Sequence, residues 1–317
     1  MLLDILLLLV GFLILILGAD KLVDGGSSLA AKLGIPNIVI GLTVVAFGTS
    51  SPELVVNVFA ALEGSTEMVL GNVIGSNIFN VFAILGISAL IFPLTVKSST
   101  TWLEIPMSLL AAVGVLILAG DVFLDGTLEN VISRSEGLVL LLFFSIFLVY
   151  NLSVAKKSQG DDHTDTPSYS NLKSILFILL GLGGLILGGR LIVDSAVAIA
   201  EVIGLSERVI GLTVVSVGTS LPELATSIVA VRKRNVDIAI GNVVGSNIFN
   251  IFLILGVSTV VTPVVVAENA FFDLFVNILA SFLLFLFVFT GKGRKVDRWE
   301  GLIFVLIYVA YVTYLVI

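Results

Sequence analysis

Apolar residues fill this chain in long blocks, broken at intervals by short polar stretches. The blocks show neither the alternation of a half-buried strand nor the single stripe of an amphipathic helix, so they predict helices that are apolar all round. Ten can be drawn, at 2–19, 36–61, 67–93, 101–120, 135–154, 173–195, 206–231, 237–263, 269–290 and 300–316. A hydrocarbon core about 30 Å thick takes roughly 20 residues of helix, so each block is one expected crossing. The most polar stretch, within 155–172, follows the fifth block and predicts a cytoplasmic linker between two halves, 1–154 and 173–317.

Composition supports the lipid reading. The chain is 58% hydrophobic and 12% charged, with a mean hydropathy of +1.17, far outside the range of soluble domains. An all-α polytopic membrane protein is expected, with the bilayer as its surroundings. The N-terminal block is read as the first span and not as a cleavable signal, because Asp4 stands where such a signal carries Lys or Arg. There are no cysteines, and the one histidine, His163, falls in the polar linker, so thiolate and imidazole metal sites are not expected. The net charge of -7 comes from a small charged set, and nothing calls for nucleic acid or an obligatory protein partner.

The two halves repeat each other. VIGLTVVAFGTSSPEL at 39–54 returns as VIGLTVVSVGTSLPEL at 209–224, and GNVIGSNIFNVFAILGIS at 71–88 returns as GNVVGSNIFNIFLILGVS at 241–258. The offset is 170 in both blocks, within repeat motifs spanning 39–93 and 209–263. GADKLVDGG at 18–26 is echoed more faintly by GGRLIVDSA at 188–196. Five crossings per half is an odd number, so the second half enters the membrane from the opposite side and the repeats are inverted. If loops alternate sides, thirteen of the 16 Lys and Arg fall on one side, leaving Arg134, Arg190 and Arg208 on the other. The basic side is then cytoplasmic, with both termini outside, in a cell (plasma or inner) membrane.

Each repeat places a helix breaker and an acid inside an apolar run. Pro52 and Pro222 have no N–H, so the carbonyls of Gly48 and Gly218 lose their helical partners. Unpaired carbonyls at bilayer depth persist only where protein, water or an ion satisfies them. Glu53 and Glu223 follow directly, and burying either in hydrocarbon is costly unless it is paired, protonated or coordinated. With the hydroxyls of Thr49, Ser50, Thr219 and Ser220 they make an all-oxygen set, which suits hard cations. GNVIGSNIFN adds Gly71 and Gly75 at small-xxx-small spacing, then Ser76, Asn77 and Asn80; Gly241, Gly245, Ser246, Asn247 and Asn250 repeat the arrangement. A single proline kink or intramembrane asparagine is usually structural, but the whole set recurring at one spacing is not. Asp24 and Asp194 are read as interfacial carboxylates or helix caps near the ends of their helices, and RKRN at 232–235 as a topology signal.

On GTSSPE with GNVIGSNIFN and GTSLPE with GNVVGSNIFN, the chain resembles the sodium/calcium exchangers of the calcium/cation antiporter superfamily, in their compact prokaryotic form. The resemblance implies ten helices in two inverted five-helix repeats, with the second, third, seventh and eighth enclosing the ion sites. It implies that Glu53 and Glu223 are the central calcium ligands and that Thr49 and Thr219 contribute main-chain and hydroxyl oxygens, with Ser50 and Ser220 beside them. It further implies that Ser76 and Ser246 complete flanking sodium sites, served also by the carbonyls of Ala46 and Ser216. Some relatives carry aspartate at the position of Asn80 or Asn250, whereas this chain has asparagine at both. Potassium co-transport is therefore not expected.

The expected function is secondary antiport of Ca2+ against Na+ by alternating access, with those ions as cargo and no cofactor. A desolvated carboxylate can also exchange a proton for a metal ion, so Ca2+/H+ antiport remains the alternative. A channel is distinguished by the absence of counterflux. The helices expected to move are the first of each half, 2–19 and 173–195, whose glycines would let them slide.

Overall fold

The computed structural model describes residues 2–157, 169–202, 216–290 and 293–316, most of them helical. The linker residues 158–168, with His163, and residues 203–215, which include Arg208 and the first part of the second repeat motif, lie outside the described residues. In chain order the helices are α1 Leu2–Leu33, α2 Asn37–Thr49 continued as Ser51–Leu62, α3 Thr66–Ile91, α4 Thr100–Leu118 and α5 Arg134–Lys157. The second half supplies α6 Asn171–Val202, α7 Ser216–Thr219 continued as Leu221–Arg232, α8 Val236–Val261, α9 Ala270–Phe287 and α10 Arg298–Val316. Among the described residues eight helices are long and apolar enough to cross a membrane, and α2, bent by 46° at its break, makes a ninth. The protein is an all-α polytopic membrane protein.

Inversion of the repeats is visible in what touches what. Gly11 meets Gly188 and Ile192, Gly18 meets Gly181 and Leu185, and Gly25 meets Ser174 and Ile178. Rising numbers in α1 thus meet falling numbers in α6, so these equivalent helices run antiparallel. Two short ribbons carry the same symmetry. The strand Leu94–Thr95 after α3 pairs with Lys295–Val296 before α10, while its equivalent after α8, Val264–Val265, pairs with Val131–Ile132 before α5. Each repeat therefore closes on the other.

Layering follows from which helices carry polar side chains. Within the most apolar window of α8, 94% of residues are buried, and in α3 78%, against 17% in α5 and α10. The motif helices are wrapped by the others, whose outward leucines and phenylalanines, such as Leu9, Leu142 and Phe275, are exposed for contact with lipid. In lipid no hydrophobic force draws helices together, so association relies on close packing over small residues. A Cβ on Gly181 would lie 2.6 Å from the Leu22 nitrogen, and one on Gly245 2.8 Å from Ala46 Cβ. Glycine lets α1 meet α6 and lets α2 meet α8.

The first helix of each half is longer than hydropathy predicts. α1 continues to Leu33 instead of stopping at 19, and α6 runs from Asn171 to Val202. Asp24 therefore sits well inside α1, neither at its end nor capping it. Its carboxylate Oδ1 lies 2.7 Å from Lys233 Nζ, which also meets Asp20 Oδ1 at 2.6 Å and donates to the Asp20 carbonyl. Asn235, at the start of α8, donates to Ser27 Oγ at 2.8 Å. The polar turn of α1 stays helical because the RKRN segment supplies its partners. Asp194, also inside its helix, pairs with Arg190 one turn away at 3.6 Å.

Crowding at the α1–α6 crossing is directly testable. Gly181→Leu should lower the melting temperature of the detergent-solubilised protein by several degrees, since overpacking costs roughly 1–3 kcal/mol. Gly183→Leu, on an exposed face with open space where the Cβ would go, should leave it unchanged in the same thermal-shift measurement.

Candidate cation site

The two prolines do more than free a carbonyl. α2 breaks at Ser50 (φ -84°, ψ 5°) and α7 at Ser220 (φ -91°, ψ 7°), and a new helix starts one residue later in each case, with proline in its first turn. Proline belongs there because the first N–H groups of a helix have no partner to lose. Glu53 and Glu223 thereby fall in the first turn of a half-helix, where the dipole favours negative charge. In α3 and α8 the turns widen to π-type over Phe79–Leu85 and Phe249–Leu255, bracketing Asn80 and Asn250.

Both carboxylates are buried, each 1% exposed. Ser50 Oγ donates to Glu223 Oε1 at 2.8 Å, and Ser220 Oγ to Glu53 Oε1 at 3.3 Å, so each acid is held by the serine of the opposite repeat. Ser246 Oγ lies 2.9 Å from Ser50 Oγ and 3.3 Å from Glu223 Oε1, while Ser76 Oγ lies 3.1 Å from Ser220 Oγ. Thr49 Oγ1 reaches the Ala46 carbonyl at 3.3 Å and Asn242 Oδ1 at 3.1 Å; Thr219 Oγ1 reaches Asn72 Oδ1 at 3.4 Å. The Ala46 carbonyl also accepts from the Ser50 amide. Ser216 opens the first segment of α7, and its side chain lies outside the described residues.

Asn80 Nδ2 donates to Asn247 Oδ1 at 3.0 Å, and Asn250 Nδ2 to Asn77 Oδ1 at 2.9 Å. Four buried oxygens at this centre have no hydrogen-bond partner: Glu53 Oε2, Glu223 Oε2, Asn80 Oδ1 and Asn250 Oδ1. A buried acceptor left empty is costly, so these oxygens fit a cation. Among the described residues no three His, Cys, Asp or Glu side chains gather in one group, so any metal here meets two carboxylates with neutral oxygens around them. The chemistry available is reversible coordination of a hard ion.

Sequence reading missed Asn72 and Asn242, which take the threonine hydroxyls. Asn242 also donates to the Glu223 carbonyl at 3.2 Å and to Ser227 Oγ at 3.0 Å. The signal was present, since each precedes its motif serine by four residues and so shares its helix face. Two further acids went unremarked: Glu104, buried in α4, accepts from Tyr150 of α5 at 2.6 Å, and Asp273 of α9 accepts from Tyr311 of α10 at 2.8 Å.

Known proteins agree with this architecture. The family described as sodium/calcium exchanger protein matches residues 3–153 and 173–317. Sodium/calcium exchanger MaX1 of Methanosarcina acetivorans is 34% identical over 345 aligned positions, covering 98% of both chains. Inner membrane protein YrbG of Escherichia coli is 40% identical over 272, covering 83% of this chain and 81% of its own. A solved structure of the sodium-calcium exchanger NCX_Mj, soaked with Na+ and Sr2+, superimposes with a TM-score of 0.85 at 32% identity, covering 98% of each chain. With its twofold fold and paired acids, the chain belongs to the sodium/calcium exchanger family and is a membrane transporter, not an enzyme.

Proposed function

We propose that the protein exchanges Ca2+ for Na+ by alternating access at one shared midplane site, with Glu53 and Glu223 as its charged ligands and the Thr49, Ser50, Ser76, Asn80, Thr219, Ser220, Ser246 and Asn250 side chains around them. The carbonyls of Ala46 and Ser216 belong to its sodium-binding flanks. The observation that carries this reading is the reciprocal hold on the two acids, each bonded by the other repeat's serine and each keeping one oxygen unfilled. One Ca2+ neutralises two carboxylates. An empty, closed site would leave both charges in a dry interior, which discourages return without cargo and makes exchange obligatory. The halves 1–154 and 173–317 are the two functional repeats, joined by the linker 155–172, in a plasma or inner membrane with both termini outside.

Alternation is supported by a difference between equivalent positions. Near the start of α3, Glu67, Leu70 and Ile74 line an open cavity of about 180 Å3 with Ala267 and Asp273. Shifted by the repeat offset, Glu67 becomes Asp237 and Ala267 becomes Lys97, and there Lys97 Nζ bridges Asp237 Oδ2 at 3.0 Å. Lys233 ties α1 down at that same basic end through Asp20 and Asp24, whereas Glu63 stands at its equivalent position. In the proposed orientation the site is shut toward the cytoplasm and approached from outside. The helices proposed to slide are α1 and α6, whose glycine-lined crossing offers few side-chain obstacles.

The decisive assay is 45Ca2+ uptake into proteoliposomes, driven in turn by an outward Na+ gradient and an outward H+ gradient. Uptake should follow the Na+ gradient; uptake on the H+ gradient alone would make the protein a Ca2+/H+ antiporter instead, the alternative allowed by a desolvated carboxylate that exchanges a proton for a metal ion. Glu53→Gln and Glu223→Gln should each reduce uptake to background, and normal transport by both would remove the site.

Because the chain has no cysteine, single-cysteine variants report access without further engineering. Gly71→Cys, at an exposed position on the cavity wall with open space where its Cβ would go, should react with an impermeant maleimide added outside, while Ile240→Cys, buried one turn from Asp237, should resist the reagent from the cytoplasmic side. Adding Lys97→Ala should increase labelling of Ile240→Cys severalfold. Equal labelling with and without the lysine would show that it closes nothing.

A further inference from the structure

The asparagines one turn before Asn80 and Asn250 have no role in the exchange reading, yet the twofold axis passes between them. Asn77 Nδ2 donates to the Asn247 carbonyl at 3.2 Å, and Asn247 Nδ2 to the Asn77 carbonyl at 3.5 Å. Their side-chain oxygens take the amides of Asn250 and Asn80 at 2.9 and 3.0 Å. Each is 1% exposed, with both its amide nitrogen and its amide oxygen occupied across the repeat boundary. The carboxamides of Asn80 and Asn250 are thus tethered by nitrogen, and the atom each leaves free is an oxygen.

A carboxamide can turn either face toward a cation, and the two faces have opposite effects. The oxygen is a ligand, while the NH2 is a donor that repels positive charge. An untethered amide at a carboxylate-lined cation site would be drawn NH2-first to a carboxylate, occupying an oxygen that the ion needs. We infer that Asn77 and Asn247 are positioning residues for cation binding, holding Asn80 and Asn250 oxygen-first toward the site by each tethering the amide nitrogen of the opposite repeat. The inference rests on the exchange reading, because it assumes that a cation fills the four empty oxygens. It also accounts for the residue type: aspartate at 77 or 247 would accept the tether but could not donate to the facing carbonyl, and leucine could do neither.

The test is a double-variant cycle on Ca2+ uptake by the full-length protein in proteoliposomes, with Na+ as the driving ion. Asn247→Leu should raise the KM for Ca2+ by roughly tenfold or more, the usual scale for losing a residue that orients a metal ligand, with a smaller change in kcat. Asn80→Ala should raise it similarly, and the double variant should be no worse than Asn80→Ala alone, because Asn247 acts through Asn80. Asn77→Leu with Asn250→Ala forms an independent mirror cycle should Asn247→Leu fail to assemble. A KM within twofold of the parent for Asn247→Leu, or effects that multiply in the double variant, would overturn the positioning role. Glu53→Gln and Glu223→Gln run in parallel separate the two readings: if they are inactive while the cycle multiplies, only the asparagine inference falls, and if both transport normally, both readings fall.

Discussion

Two carboxylates held together away from water are the constraint around which this molecule is organised. Each acid costs several kcal/mol to bury at bilayer depth without compensation. The fold offsets that cost partly with half-helix N-termini and partly with serines donated across the repeat boundary. Because compensation for each acid comes from the other half, neither repeat can form a stable site alone. The same requirement explains why α3 and α8, rich in asparagine and serine, lie at the centre, while the apolar helices face lipid.

Much of this was legible because membrane sequences are sparse in polar residues. A proline, a glutamate and two asparagines inside apolar runs stand out, and their recurrence 170 residues later marks them as a unit. The count of crossings and the inversion followed from block lengths and the placement of lysine and arginine. What hydropathy could not see was satisfaction at a distance. Asp20, Lys21 and Asp24 look like the end of a span, yet α1 passes through them, because Lys233 lies in space beside residues far from it in sequence. Asn72 and Asn242 were in view but silent, since their partners Thr219 and Thr49 belong to the other repeat. The π-type turns at Phe79 and Phe249 have no residue signature of their own.

The repeats match at the centre and diverge at the rims. Between Glu53 and Glu223 the surroundings are nearly interchangeable: serine answers serine, and asparagine answers asparagine. At the ends, Ala267 answers Lys97 and Glu63 answers Lys233. A site equivalent from both sides has no intrinsic direction, so a preference for one state has to come from contacts outside it. Surface ion pairs are individually weak, about 0–1 kcal/mol, but shifting a two-state balance near unity takes no more than that. Under the proposed alternating access, charge at the rims would thus bias the resting state without altering the proposed ligands.

Asparagine at both 80 and 250 fits the same logic. A third carboxylate at this depth would add charge that a single Ca2+ could not neutralise, and the loaded site would cross the membrane bearing a net charge in a low dielectric. Neutral carbonyl oxygens supply coordination without that cost. They also carry a hazard that carboxylates do not, because an amide has a donor face. In the proposed site the tethers from Asn77 and Asn247 would remove that hazard, and they run across the repeat boundary, so the two halves are joined where the ion would be held and packed over glycine where α1 and α6 are proposed to slide.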